Sequence, residues 1–417
     1  MRLSINGFLL IGKVHELFEI HTRMKIAICN VQEFNPTIGG IERVSVSLAE
    51  GLIKEGVEVL FVACRKSPYS KPYTLPAKQV LLPKTLDYCI ENVQALAHIL
   101  KEEKVDILLN QNSHSELYNR TCYEVKSLSG VKLISVLHFS PDMRIKGNRN
   151  LVSFKYLSLK ENIINLLRDV CTRFPLRYIF MYDQCRMYKN LYLNSDRIVL
   201  LSNEFKESYI KLSGIKESSK LTAINNMLSF PYEMNNYQKK KQLLWCGRLL
   251  FSQKRPDRIL LVWKKLQEQL PDWNLVIVGD GPFSNEMKQL SKKLSLQRVE
   301  FAGFANPIKY YKESSIFCLT SNHEGWGLVL TEAMQFGCVP IAFDSFESIH
   351  EIIEDGKNGF LVKPFDIDKY ADKVLRLADN FKVDYVMNVM NSMERLMPEN
   401  VVKLWIRLFN SEMKCQL

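Results

Sequence analysis

No part of the chain stays apolar for the roughly 20 residues that a helix needs to cross a bilayer, which predicts a soluble or peripheral protein. Paired cysteine motifs are also missing. The ten cysteines are scattered at 29, 64, 89, 122, 171, 185, 246, 318, 338 and 415, with no Cys-x-x-Cys among them. Several, such as Cys246 and Cys318, lie in apolar runs, where a thiol behaves as a small core hydrophobe in a reducing compartment; the predicted location is cytoplasmic. No long polar tract interrupts a chain with 47% hydrophobic residues, so disorder is excluded and full cores are expected. A short internal repeat and a complete Gly-x-Gly-x-x-Gly fingerprint are both absent, which argues against a solenoid and against a dinucleotide cofactor.

Acidic residues are outnumbered, 45 against 56 basic ones, for a formal net charge of +11. The excess is concentrated between residues 142 and 190. There Arg144, Lys146, Arg149, Lys155, Lys160, Arg168, Arg173, Arg177, Arg186 and Lys189 oppose Asp142, Glu161, Asp169 and Asp183. Aromatic and aliphatic residues such as Phe154, Tyr156 and Leu166 are interleaved with them. Two readings stand: helices with solvated basic faces, or a surface that leans on anionic lipid headgroups at the inner face of the cytoplasmic membrane. Nucleic acid is not a predicted partner, because no nucleic-acid-binding module accompanies the charge.

Apolar strand-like runs alternate with helix-period segments, the pattern of parallel α/β sheets. Strands are predicted near 25–30, 57–63, 105–109, 132–137 and 197–201, then near 243–246, 274–278, 299–301, 316–319 and 338–343. Helices are predicted at 41–55, 91–103, 256–269, 284–294, 328–336 and 366–379. The polar stretch 233–242 reads as a linker. The predicted organisation is a first domain over 24–235, with a return of 401–417 to it, and a second domain over 236–400. Residues 1–23 show no matching element, and Phe8-Leu-Leu-Ile11 is short for a signal-peptide core. They are read as an extension outside the fold, with a short membrane-touching segment as the alternative.

The most specific segment is Glu324-Gly-Trp-Gly-Leu-Val-Leu-Thr-Glu332. A wholly helical path between its two glutamates would rise ~12 Å with ~80° between the side chains. Gly325 and Gly327 instead place Glu324 on a loop and Glu332 within the following helix. Such carboxylates reach hydroxyls at either end of a long ligand, while the helix-start N–H groups face an anion between them. A nucleotide-diphosphate sugar has that form. Upstream, Gly247-Arg248 and Lys254 place two cations six residues apart between a strand and a helix start, a pattern suited to clamping a diphosphate.

Glu-x7-Glu, followed by Ala333-Met334 and Gly337-Cys-Val-Pro340, resembles the donor-site signature of the retaining glycosyltransferases of family 4. The resemblance covers nearly all of 24–417 and is most specific over 243–362. It implies the GT-B arrangement: two doubly wound, Rossmann-like domains facing across a cleft. It also implies transfer of a hexose or N-acetylhexosamine from a nucleotide-diphosphate sugar, UDP- before GDP-, to a glycan or lipid-linked glycan in cell-surface polysaccharide or lipopolysaccharide synthesis. Arg248 and Lys254 match the family's diphosphate-binding pair, and Arg255 replaces the glycine often found next. By the same resemblance Glu324 contacts the donor hexose and Glu332 the ribose. Main chain at Gly325, Trp326, Gly327 and Leu328 serves sugar and phosphates, and His138, just past a strand end, faces the transferred sugar. Gly303 and Phe304 lie where main chain holds the nucleobase, although a plain strand end explains them too. Gly39 and Gly40 let main chain approach a phosphate at a helix start, with a tight turn as the simpler alternative. Gly279, Asp280 and Gly281 are assigned to turn chemistry. Asp366 and Asp368 mimic a metal-binding Asp-x-Asp, but their place before a helix predicts a cap, and neither metal nor cofactor is expected. Two alternatives remain open: a UDP-sugar-modifying enzyme such as an epimerase, and a catalytically silent sugar-nucleotide or glycan binder.

Overall fold

The computed structural model describes residues 24–68, 72–143, 163, 167, 174–232, 235 and 237–414. The expectations for residues 1–23, and most of those for the basic segment 142–190, fall outside the described residues.

The first sheet is formed by β1 (Lys25–Gln32), β2 (Glu58–Arg65), β3 (Gln79–Leu81), β4 (Ile107–Asn110), β5 (Lys132–Leu137), β6 (Arg197–Leu200) and β7 (Leu221–Ala223). Its order is β3-β2-β1-β4-β5-β6-β7, with every pairing parallel. Helices α1 (Gly40–Lys54), α2 (Ile90–Glu102), α3 (Glu116–Ser129), α4 (Phe174–Asn194) and α5 (Glu204–Ser213) connect the strands. Alternation along the central strands sorts side chains to two cores. Ile26, Ile28, Ile107 and Leu109 pack on one face, and Ala27, Cys29 and Leu108 on the other, as the two-residue period of a strand requires.

The second sheet contains β8 (Lys240–Cys246), β9 (Asn274–Val278), β10 (Val299–Gly303), β11 (Ser314–Leu319), β12 (Val339–Phe343) and β13 (Phe360–Val362). It runs β10-β9-β8-β11-β12-β13, again all parallel. Helices α6 (Asp257–Leu266), α7 (Ser284–Lys293), α8 (Ile308–Glu313), α9 (Leu328–Gln335), α10 (Ile367–Asp379) and α11 (Val383–Asn391) complete this layer. The last helix, α12 (Pro398–Lys414), packs against α1 and places Trp405, Ile406 and Phe409 in the first sheet's core. Among the described residues no helix is long and apolar enough to cross a membrane, and the described cysteines are free thiols.

The longer strands follow the sequence pattern, whereas β3, β7 and β13 do not. Each has three residues, too few for a period to show. One expectation needs correction: Lys240, Lys241 and Gln242, assigned to a linker, open β8. Both lysines are exposed at the strand's start while Gln242 is buried and donates to Ser314 Oγ at 2.7 Å. Lysine stems can follow a strand while their charges stay in water, so a polar run conceals the strand's first residues.

The two layers meet along a polar seam. Glu347 and Glu351, in a short 3₁₀ turn of the second domain, accept hydrogen bonds from the first. Ser140 and Ser208 hydroxyls donate to Glu347 at 3.1 and 2.8 Å. Glu351 accepts from Ser202 Oγ at 2.7 Å, from Asn203 N–H at 2.5 Å and from Asn225 Nδ2 at 2.8 Å. Carboxylates at the start of α5 complement its free N–H groups.

Candidate active site

Strand order reverses direction of winding between β1 and β4 in one sheet and between β8 and β11 in the other, and ligands of α/β sheets collect beyond the strand ends at such points. The loops after β8 and β11 carry the second domain's candidate residues. Lys254 Nζ donates to both oxygens of Glu324, at 2.7 and 2.8 Å, and Ser321 Oγ adds a third hydrogen bond at 2.6 Å. Glu324 is buried, so the cation beside it offsets a desolvation cost that an isolated carboxylate would not survive. Arg248, from the same loop, is exposed.

Arg255 sits at φ +46°, in the left-handed region, which explains why a glycine suits this position. Its guanidinium holds both oxygens of the buried Asp257, at 2.9 and 2.8 Å, and lies 4.6 Å from the centre of the Phe251 ring. These contacts oppose a strain of about 1–2 kcal/mol.

Around the β8 loop the main chain is crowded. A methyl on Gly279 would come within 1.9 Å of Gly247 O, and one on Gly281 within 2.6 Å of Leu249 O. Leu249 N–H donates to Asp280 O and Phe283 N–H to Leu249 O, at 3.0 and 3.1 Å. Turn chemistry is therefore only part of the reason for these glycines; the two loops touch through their backbones. Gly279 N–H also donates to Gly303 O at 2.7 Å, which brings Gly303 to the same region. The next residue, Phe304, is 77% exposed, a large apolar side chain left at the surface beside it.

Helix α9 starts at Leu328 behind Gly327, whose φ of +86° turns the chain into the helix with no side-chain cap. Leu330 N–H already donates to Gly327 O at 2.8 Å, and the N–H groups of Leu328 and Val329 ahead of it can face an anion. Trp326 is buried in the domain core, so what it offers a ligand is main chain. Glu332 lies inside α9 and is also buried. Its Oε1 accepts from Arg43 Nη1 at 2.9 Å, and its Oε2 from the Tyr311 hydroxyl at 3.1 Å.

The first domain faces this group closely. A methyl on Gly325 would come within 2.1 Å of His138 O, and one on Gly40 within 3.2 Å of Leu328 Cδ1. The starts of α1 and α9 therefore oppose one another. Glu42 Oε2 reaches back to the α1 cap, 2.6 Å from where a Gly39 methyl would sit. Burial raises the Glu42 carboxyl above its ordinary range, and Asn30 Nδ2 donates to it at 3.2 Å.

His138 is buried, with 8% of its surface exposed, and its Nε2 lies 2.6 Å from Gln111 Oε1. Burial first, and the neighbouring His114 second, depress its pKa to about 3, so the imidazole is neutral at physiological pH. A carbonyl oxygen only accepts, so Nε2 carries the proton and Nδ1 is left as an acceptor.

The sequence-predicted residues thus fall into one region: Lys254 with Glu324, Glu332 in α9, His138 against Gly325, and Gly40 against Leu328. Asp366 caps α10, its Oδ1 accepting from Lys369 N–H at 3.0 Å. Three contacting residues were not foreseen as site residues: Arg43, Gln111 and Tyr311. Arg43 had a local signal, because it follows Gly39-Gly40 near the start of a helix. Tyr311 and Gln111 had none, since each matters only through a partner distant in sequence.

Two family models match the chain, "Glycosyltransferase Family 4" over residues 38–228 and "Glycosyl transferases group 1" over 231–387. The chain is 27% identical, over 87% of its length and 92% of the relative's, to an uncharacterised glycosyltransferase of Haemophilus influenzae. It is 26% identical to the Escherichia coli UDP-Gal:α-D-GlcNAc-diphosphoundecaprenol α-1,3-galactosyltransferase, over 89% of the chain and 91% of that protein. Among solved structures, HepE of Anabaena in complex with UDP and glucose superposes with a TM-score of 0.68 at 16% identity, covering 93% of this chain and all (100%) of that one.

Proposed function

From the premise that the chain belongs to the family 4 glycosyltransferases and has their two-domain fold, we propose that it transfers a hexose or N-acetylhexosamine from a UDP-sugar to a glycan or lipid-linked glycan, with retention at the anomeric carbon. The product would be part of a cell-surface polysaccharide. The observation that carries this reading is the joining of Lys254 to buried Glu324 beyond the β8 and β11 strand ends, where the neighbouring Gly325 lies against the His138 carbonyl. The Escherichia coli relative, which transfers galactose to a diphosphoundecaprenol-linked sugar, supports both the UDP donor and a lipid-linked acceptor.

In this reading Arg248, Lys254 and the N–H groups at the start of α9 take up charge that develops on the departing diphosphate. Glu324 accepts from hydroxyls of the donor sugar and Glu332 from those of the ribose. Neutral His138 accepts a hydroxyl hydrogen bond at Nδ1, because its Nε2 proton is committed to Gln111. The acceptor hydroxyl attacks from the face the diphosphate leaves, and no side chain is assigned as a covalent nucleophile. Positive charge for the leaving group comes from the two side chains, which supports metal-independent turnover. Docking of the 142–190 segment on anionic lipid at the inner membrane face belongs to the same proposal.

The test is nucleotide release from a panel of UDP- and GDP-sugars in EDTA, with and without a lipid-linked acceptor pool. Release from one UDP-sugar, rising with acceptor, is expected. Failure of every sugar nucleotide to bind would overturn the reading.

A further inference from the structure

Both carboxylates of the Glu-x7-Glu pair are tied to a cation, and the two ties are alike. Lys254 holds Glu324 from within the second domain. Arg43 holds Glu332 from the first, across 289 residues of sequence, at 2.9 Å. Lys254 is one of the two cations assigned to the donor diphosphate. Arg43 occupies the equivalent place for the other carboxylate, near the start of α1, three residues after Gly40. That helix start faces the start of α9 through the Gly40–Leu328 approach. Arg43 and Lys254 also share one neighbourhood, since both act electrostatically on the buried Cys246 thiol at the end of β8, as does Glu332.

The two partners differ in freedom. The Glu332 side chain is 2% exposed and fixed by Tyr311, while that of Arg43 is 37% exposed and its Nε donates to Pro36 O at a long 3.5 Å. A ligand whose hydroxyls donate to Glu332 competes with the guanidinium for the same oxygens. A displaced guanidinium next to two opposed helix starts has an obvious new partner in a diphosphate, which its planar fork binds in bidentate fashion.

We propose that Arg43 is a third diphosphate-binding cation, supplied by the first domain and exchanged from Glu332 to the donor's phosphates when the ribose hydroxyls take Glu332. The exchange couples closure of the first domain to occupancy of the donor site, because the cation remains on α1 while its partner changes. The inference rests on the proposed assignment of Glu332 to the ribose and of the cleft to a UDP-sugar.

The experiment is calorimetric titration of uridine, UMP and UDP into the full-length protein and its variants. The quantity read is the affinity gained from uridine to UDP. In Arg43→Gln that gain should fall about tenfold or more, while uridine binds as well as before or better, because nothing competes for Glu332. Arg43→Lys should retain part of the gain. The double variant Arg43→Gln with Glu332→Gln leaves no buried charge unpaired, so it keeps the test valid if Arg43→Gln alone folds poorly. Its gain should be as small as that of Arg43→Gln, whereas Glu332→Gln alone should weaken uridine and preserve the gain. If Arg43 is only a strut between domains, uridine and UDP affinities shift by the same factor and the gain is unchanged, which overturns the role of Arg43 and leaves the donor site standing. A wild-type protein that binds none of the three overturns the donor site and this role together.

Discussion

At the residue scale the site depends on charges held out of water by specific partners. His138 is the case whose pH dependence can be worked out. Its folded pKa of about 3 lies below the ordinary 6.5, so between those values the unfolded chain binds a proton that the folded chain refuses. The contribution of this site to stability is complete above pH 6.5. It is lost as pH falls toward 3, at about 1.4 kcal/mol per pH unit. His138→Gln removes that titration. The Tm difference between wild type and variant should therefore narrow steadily from pH 7 to pH 4.5 in paired thermal melts, and a constant difference would contradict the assignment. Arg248, Lys254, Glu324 and Glu332 were singled out by their match to a family motif taken together, because two glutamates eight apart or two cations six apart carry little signal by spacing alone. The Arg43–Glu332 pair was not readable, because nothing in local sequence relates positions 289 residues apart.

Between elements, the donor side is made of strand ends whose following loops touch through main chain. Gly279 shows how little room they leave: φ is +131° and a methyl would overlap Gly247 O at 1.9 Å. Gly279→Ala must push the β8 and β9 loops apart. It should cost more than about 2 kcal/mol in denaturant unfolding and weaken UDP binding at the same time. A variant with wild-type stability would show that the loops yield at low cost. Central strands were evident from their apolar runs, and α9 from the glycines before it. The edge strands β3, β7 and β13 were missed because their pairing is decided by the neighbouring strand and not by their own three residues.

For the whole molecule, the decisive feature is the return of α12 to the first domain. Val402 sits so close over Gly51 of α1 that a methyl there would be 2.4 Å from Val402 Cγ2. Gly51→Val should lift α12 from α1 and cost about 1–3 kcal/mol, measured as a lower Tm, with little change in UDP affinity because Gly51 lies ~12 Å along α1 from Arg43. The polar seam at Glu347 and Glu351 adds hydrogen bonds to a buried apolar cluster that joins the two domains, in which Phe205, Tyr209 and Leu228 belong to the same core as Ile349 and Ile352.

The amino-acid sequence determined the two parallel α/β layers, the loop and helix positions of Glu324 and Glu332, the cation pair before α6 and the capping role of Asp366. All of these depend on periods and spacings within about a dozen residues, which burial and backbone geometry impose locally. Only the tertiary structure decided which cation meets which carboxylate, that Gln111 sets the tautomer of His138, and that Gly325 lies against the His138 carbonyl. Most of those contacts form where the two layers pack together. Their geometry follows from the packing of whole domains, which no local pattern encodes.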